Sequence, residues 1–200
     1  MKGRAFPTAK GTKVAPAIIQ LDDPRKTHLS FFNLVEAHIL AAICREHGVK
    51  LQKIRPALAY VIATCGNPRP LIQQSFLTDG LDLFIERYGE LVNATRYGQQ
   101  AMKDIAEAHL KRIDWDEQGV PKRFYPLVRT GSGSPLNQEQ PKNVVLNPEI
   151  AFGKPVVAGT GISVEAIYER YRAGDSIHAL TKDFRLSTSD VEEAIRCAAA

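Results

Sequence analysis

From residue 30 onward, apolar residues recur at helical spacing, and the chain divides where that spacing stops. In "LSFFNLVEAHILAAICREHG", Leu34, Val35, His38, Ile39, Ala42 and Ile43 fall on one helix face. Ser30 or Asn33 caps the start and Gly48 ends it. "KLQKIRPALAYVIATCG" repeats the pattern with Leu51, Ile54, Leu58 and Val61, and Pro56 comes early enough to be tolerated in a first turn. In "SFLTDGLDLFIERYG", two apolar-rich runs flank Asp79-Gly80, a dipeptide that predicts a β-hairpin. A third helix is predicted over about 91–113, its faces marked by Ala94, Ala101, Ile105, Ala108 and Leu110. "RIDWDEQGVPKRFYPLVR" then reads as strand, turn at Gln118-Gly119, strand, with Trp115, Phe124 and Tyr125 suited to a half-buried pleated surface.

The periodicity fails at both ends of this region. Residues 1–29 are rich in Pro, Gly, Lys and Thr, and only 17–21 has strand character, so a weakly ordered arm is expected. Residues 130–142, "TGSGSPLNQEQPK", have linker composition. After the linker, "NVVLNP" and "GKPVVAGTG" predict two short strands. Helices follow over about 164–173, stopped by Gly174, and over 177–184, capped by Asp175 or Ser176. A last helix opens at "LSTSDVEEAI", where Ser187 and Asp190 have capping-box spacing. The fold class is α+β, mostly α. It comprises an arm over 1–29, a helical domain with β-hairpins over 30–129, a linker, and a C-terminal domain over 143–200 with a small strand pair and three helices.

Composition narrows the function. No run of apolar residues is long enough to span a bilayer, and the basic start lacks the apolar stretch of a secretory signal. Cys44, Cys65 and Cys197 form no C-x-x-C pair and are odd in number, so buried thiols in a reduced, cytoplasmic protein are expected. The net charge of +4 is uneven. Lys2, Arg4, Lys10, Lys13, Arg25 and Lys26 against Asp22 and Asp23 give the arm all of it. Such an arm can neutralise phosphates without reading sequence, or be an ordinary solvated tail.

"FGKPVVAGTGIS" invites a phosphate-loop reading and does not sustain it. A P-loop needs Lys and a hydroxyl residue after its last glycine. Here Gly153-Lys154 is followed by Pro155, and Gly159-Thr160-Gly161 by no lysine. Two paired strands, a glycine reversal and Ser163 as helix cap account for every residue. His28, His38, His47, His109 and His178 are scattered, so no metal or cofactor is assigned. Asp79/Asp82 and Asp114/Asp116 flank turns, and no nucleophile, base and oxyanion donor assemble, so no enzyme activity is expected. Lys50, Gln52, Lys53 and Arg55 cluster at the start of the second helix, where they are candidate DNA-backbone contacts or a solvated face. "SIHALTKDFRLSTSDVEEAI" has helix-turn-helix spacing, but its second helix opens with acids, so DNA reading competes with protein contact or dimerisation.

Two resemblances sharpen this reading. "NPEIAFGKPVVAGTGISVEAIYERYRAGDSIHALTKDFRLSTSDVEEAIR" closely resembles the bacterial family called domain of unknown function 433, with Asn147, Pro148, Gly153, Pro155, Gly159, Thr160 and Ile162 at its hallmark positions. That resemblance implies an antitoxin partnered by a PIN-type ribonuclease toxin. "LSFFNLVEAHILAAICREHGVKLQKIRPAL" is similar to the segment after the wing in MerR-like regulators, which places Lys50, Gln52, Lys53 and Arg55 near DNA. Together the halves resemble the longer VapB-type antitoxins. Residues 1–29 lack the helix-turn-helix pattern that precedes the Ser-Phe helix in that group, so either the reading head is lost or the chain is a shortened product. The resemblance implies toxin neutralisation by direct binding, with Arg170, Arg172 and Arg196 as candidate toxin contacts. It also implies repression of the chain's own promoter as a homodimer or toxin hetero-oligomer. A DNA-binding regulator without a toxin is the alternative.

Overall fold

The computed structural model describes residues 4–8, 11–15, 17–22, 25, 28–46, 51–92, 96–126 and 141–199. The chain forms two compact units, Met1–His109 and Leu110–Ala200.

Unit 1 opens with an antiparallel pair, β1 (Arg4–Thr8) and β2 (Gly11–Ala15), in register from Arg4↔Ala15 to Thr8↔Gly11. The arm thus contains strands where none was expected, and 17–21 is not one of them. Helix α1 (Phe31–Glu46) begins at a reciprocal cap. The Asn33 amide N–H donates to Ser30 Oγ, and the Ser30 amide N–H donates to Asn33 Oδ1. Val35, Ile39, Leu40, Ala42 and Ile43 are buried along α1. Helix α2 (Leu51–Cys65) buries Ile54, Ala57, Leu58 and Val61 and packs on α3 (Leu81–Val92). Pro56 lies in its second turn, later than expected, and faces solvent.

The hairpin expected at Asp79-Gly80 is absent. A π turn, Phe76–Gly80, runs straight into α3. Phe76, Leu81, Phe84, Ile85 and Tyr88 are buried at helical spacing, and that burial overrides the turn propensity of Asp-Gly. Gly80 serves packing instead, because a Cβ there would lie 2.7 Å from the Phe76 ring. The helix expected over 91–113 is shorter, α4 (Arg96–Leu110). His38 of α1 and His109 of α4 approach at 3.1 Å between ring nitrogens.

In unit 2, β3 (Ile113–Trp115) and β4 (Pro121–Phe124) pair around a turn in which the Gln118 and Val120 amides donate to the Asp116 carboxylate. This hairpin belongs with the C-terminal residues. Backbone bonds join Phe124 to Leu146, and the compact units divide before the hairpin, at His109/Leu110; of the linker expected over 130–142, residues 130–140 lie outside the described residues. Strands β5 (Val144–Val145) and β6 (Val156–Val157) form a two-faced ladder. Val144 and Val157 join the main core with Val164, Ile167, Leu180, Val191 and Ala194. Val145 and Val156 pack with Tyr125 on the other side, as the period-two alternation of strands requires.

Three helices complete unit 2: α5 (Val164–Arg172), α6 (Ile177–Phe184) and α7 (Thr188–Ala199). Ser163 and Ser176 cap the first two by accepting from the Ala166 and Ala179 amides. Arg185, at φ 54°, turns the chain between α6 and α7. At α7 the capping box forms, with the Ser187 hydroxyl donating to Asp190 and Asn143 adding a second donor. Burial pushes the Asp190 carboxyl up, but donors from Ser187 and Asn143 outweigh it and hold it below its ordinary value. A depressed folded-state value means that the stabilisation is present above the unfolded value, about 3.9, and is lost as pH falls through the folded one. Asp190→Ala should therefore cost roughly 1 kcal/mol near neutrality. Its deficit against the wild type should narrow below about pH 4. Urea titrations at several pH values check this, and a gap that widens with acid would contradict it.

Candidate functional site

A concave feature of unit 2 is built by the glycine turn and the β3–β4 hairpin. Between them lies an open cleft of about 440 Å³ lined by Arg123, Tyr125, Val145, Asn147, Ile150 and the 158–161 turn. Gly159 holds φ 76°, and the Thr160 side chain donates to the Val157 carbonyl and accepts from the Ile162 amide. These bonds shape the turn and consume its hydroxyl. The Tyr125 hydroxyl donates to Asp114 at 2.8 Å, and burial first, then that carboxylate, pushes the phenol up. Arg123 is 4.0 Å from Asp114 and remains about half exposed. Among the described residues, the lining offers apolar surface, the Arg123 cation and amide groups.

Beside the cleft the chain makes an unusual loop. Ala151 (φ 49°), Phe152 (φ 56°) and Gly153 (φ 77°) are successively left-handed. For the two residues with a Cβ this costs roughly 1–2 kcal/mol each. Backbone bonds from Ile150 to Asn147, Gly153 to Ile150 and Lys154 to Ala151 fix the turn. At its tip Phe152 is 101% exposed. Sequence reasoning passed over this residue because it precedes a glycine in a loop; a large aromatic placed among turn residues was the available signal.

One buried cation supports the whole arrangement. Arg112, 3% exposed, donates from Nε to the Tyr125 carbonyl and from Nη2 to the Pro141 carbonyl. Desolvation lowers its pKa, opposed by the charges of Tyr125 and Glu193, the latter 2% exposed on α7. Arg112 thereby anchors the hairpin's exit.

The candidate toxin contacts all lie in unit 2, on α5 and α7, which pack together. Arg170 is already engaged, with Nε donating to Asp175 at 2.6 Å, Nη2 to Asp183 at 2.8 Å, and its guanidinium 5.4 Å from the Phe184 ring. Both carboxylates raise its pKa. Arg196 pairs with Glu193. Arg172 is exposed and, among the described residues, makes no ion pair. Of the candidate DNA contacts, Lys50 lies outside the described residues. Gln52 and Lys53 stand in the first turn of α2, their side chains outside the description, and Arg55 is half-buried on the same helix. At α7 the Asp190 carboxylate is consumed by Ser187 and Asn143, and Glu192 is exposed.

The class of the C-terminal unit follows from its hallmark residues and helices: positions 144–198 match the family "Protein of unknown function (DUF433)". The fold is that of a crystal structure, Rv2018 from Mycobacterium tuberculosis, with a TM-score of 0.64 and 24% identity over 90% of this chain and 85% of that one. Over 199 residues the chain is 32% identical to "Putative antitoxin VapB45" of Mycobacterium tuberculosis (strain ATCC 25618 / H37Rv), covering 92% of this chain and 78% of the relative. The chain belongs to the family of VapB45. Among the described residues, no helix is long and apolar enough to cross a membrane.

Proposed function

We propose that the chain is the antitoxin of a toxin–antitoxin pair that neutralises a PIN-type ribonuclease by direct binding and represses its own promoter. The relationship to VapB45 along nearly the whole chain carries this reading. The arginines on α5 and α7 supply cations suited to the carboxylates of a metal-dependent nuclease site. Arg172 leads, since Arg170 would first have to release two carboxylates. The α1–α2 segment is read as MerR-like, with Lys50, Gln52, Lys53 and Arg55 positioned on the phosphate backbone. Repression is assigned to a homodimer or toxin hetero-oligomer, whose two-fold symmetry would match paired half-sites.

Co-expression with the product of the neighbouring gene tests this. A stable complex with rescued growth is expected, and Arg172→Glu should weaken it by roughly ten-fold or more. No complex and unaffected growth would overturn the reading. The capped α6–turn–α7 pair supports the alternative of a stand-alone DNA-binding regulator. The alternative requires salt-steep DNA binding by the chain alone, against the repulsion of Glu192 from phosphate.

A further inference from the structure

The backbone of the 151–153 turn is held left-handed by three hydrogen bonds, and the outcome is a bare phenyl ring in water. Among the described residues of unit 2, none covers that ring. A rigidly presented, fully exposed aromatic has the form of an interface anchor. The surface that could receive it lies two residues away. Ile150 belongs to the turn's hydrogen-bonding and also lines the cleft, so the turn that carries Phe152 borders the cavity. A cavity of about 150 Å³ already holds a benzene ring. The cleft, at about 440 Å³, has room for one, lined by Tyr125, Val145 and Ala158, with Arg123 placed to offer its guanidinium to the ring.

The charges around it are equally two-sided. Lys154 and Glu165, both well exposed, pair at 2.9 Å beside the turn, and Glu149 and Arg123 add one charge of each sign. A face carrying a projection, its receptacle and balanced charges is complementary to itself under a two-fold axis. We propose that two copies of the chain dimerise through this face, Phe152 of each entering the cleft of the other. This deepens the dimeric part of the reading above and needs no toxin.

Sedimentation of the full chain, without toxin and over a range of concentrations, is the test. The wild type should show a reversible dimer. Phe152→Gly removes the ring and the strain together, so it should raise the dimer dissociation constant roughly thirty-fold or more while leaving the melting temperature undiminished. Ala158→Leu, which fills the cleft from the receiving side, should weaken the dimer too, and the double variant should lose little beyond the stronger single one. A dimer that ignores Phe152→Gly overturns this face while leaving dimerisation standing. A wild type that stays monomeric overturns both. A monomer in which Phe152→Gly weakens the toxin complex gives the ring to the toxin and overturns the proposal as well.

Discussion

Arg112→Met is expected to destabilise unit 2 by about 3–5 kcal/mol, although the new side chain is of similar length and apolar. The reason is what it leaves behind. Two carbonyls, of Tyr125 and Pro141, lose their donor in a water-poor place, and the buried Glu193 loses the positive charge acting on it. The single tryptophan, Trp115, sits in the adjacent β3, so urea unfolding followed by its fluorescence reports on this unit. Arg112→Met with Glu193→Met should recover part of the loss, because the buried carboxylate, which Arg196 would then serve, is gone. A single-variant deficit below about 1 kcal/mol would show that water already serves those groups.

The second large effect is expected at Glu36, buried on α1. Arg69 grips it with two bonds, Nε to Oε1 at 3.0 Å and Nη2 to Oε2 at 2.7 Å, and the Asn33 amide donates to the same carboxylate. Arg69 also pairs with Asp22 and lies 5.9 Å from the centre of the Phe32 ring. The network therefore joins α1, the stretch before it and the chain ahead of the 70–72 turn. Glu36→Ala should cost about 3 kcal/mol, tempered by the contact Arg69 keeps with Asp22. Hydrogen exchange along α1 gives the readout. Faster exchange confined to its first turn would mean that the network serves the helix end alone.

Neither the buried Arg112 nor the half-buried Arg69 stands out in the sequence, because the seating of an arginine depends on partners far along the chain. Residue 112 meets 125 and 141, and residue 69 meets 36 and 22. Local grammar was more legible. The caps at Ser163, Ser176 and Ser187, the 177–184 helix and the glycine reversal all depend on neighbours within a few residues, and all were readable. Asp79-Gly80 shows how local grammar misleads. The hairpin dipeptide is real, but the apolar spacing through Tyr88 belongs to a helix, and packing decided between them. The strands over 4–15 escaped because the segment reads as turn residues and charge. Of the candidate site, the glycine turn was visible as a turn. Its cleft was not, since the other wall comes from a hairpin more than twenty residues earlier.

The pairing of that hairpin with Leu146 bears on how such genes can be cut and joined. The family match begins at residue 144, yet the physical unit begins at Leu110. An excised 144–198 piece would bare the Val145–Val156 face that Tyr125 now covers, and would lose Phe124 from the sheet edge. Recombination that shuffles this module between proteins should therefore leave viable joints ahead of the hairpin and few within it. Chimaeras spliced at 109/110 should outlive those spliced at 143/144.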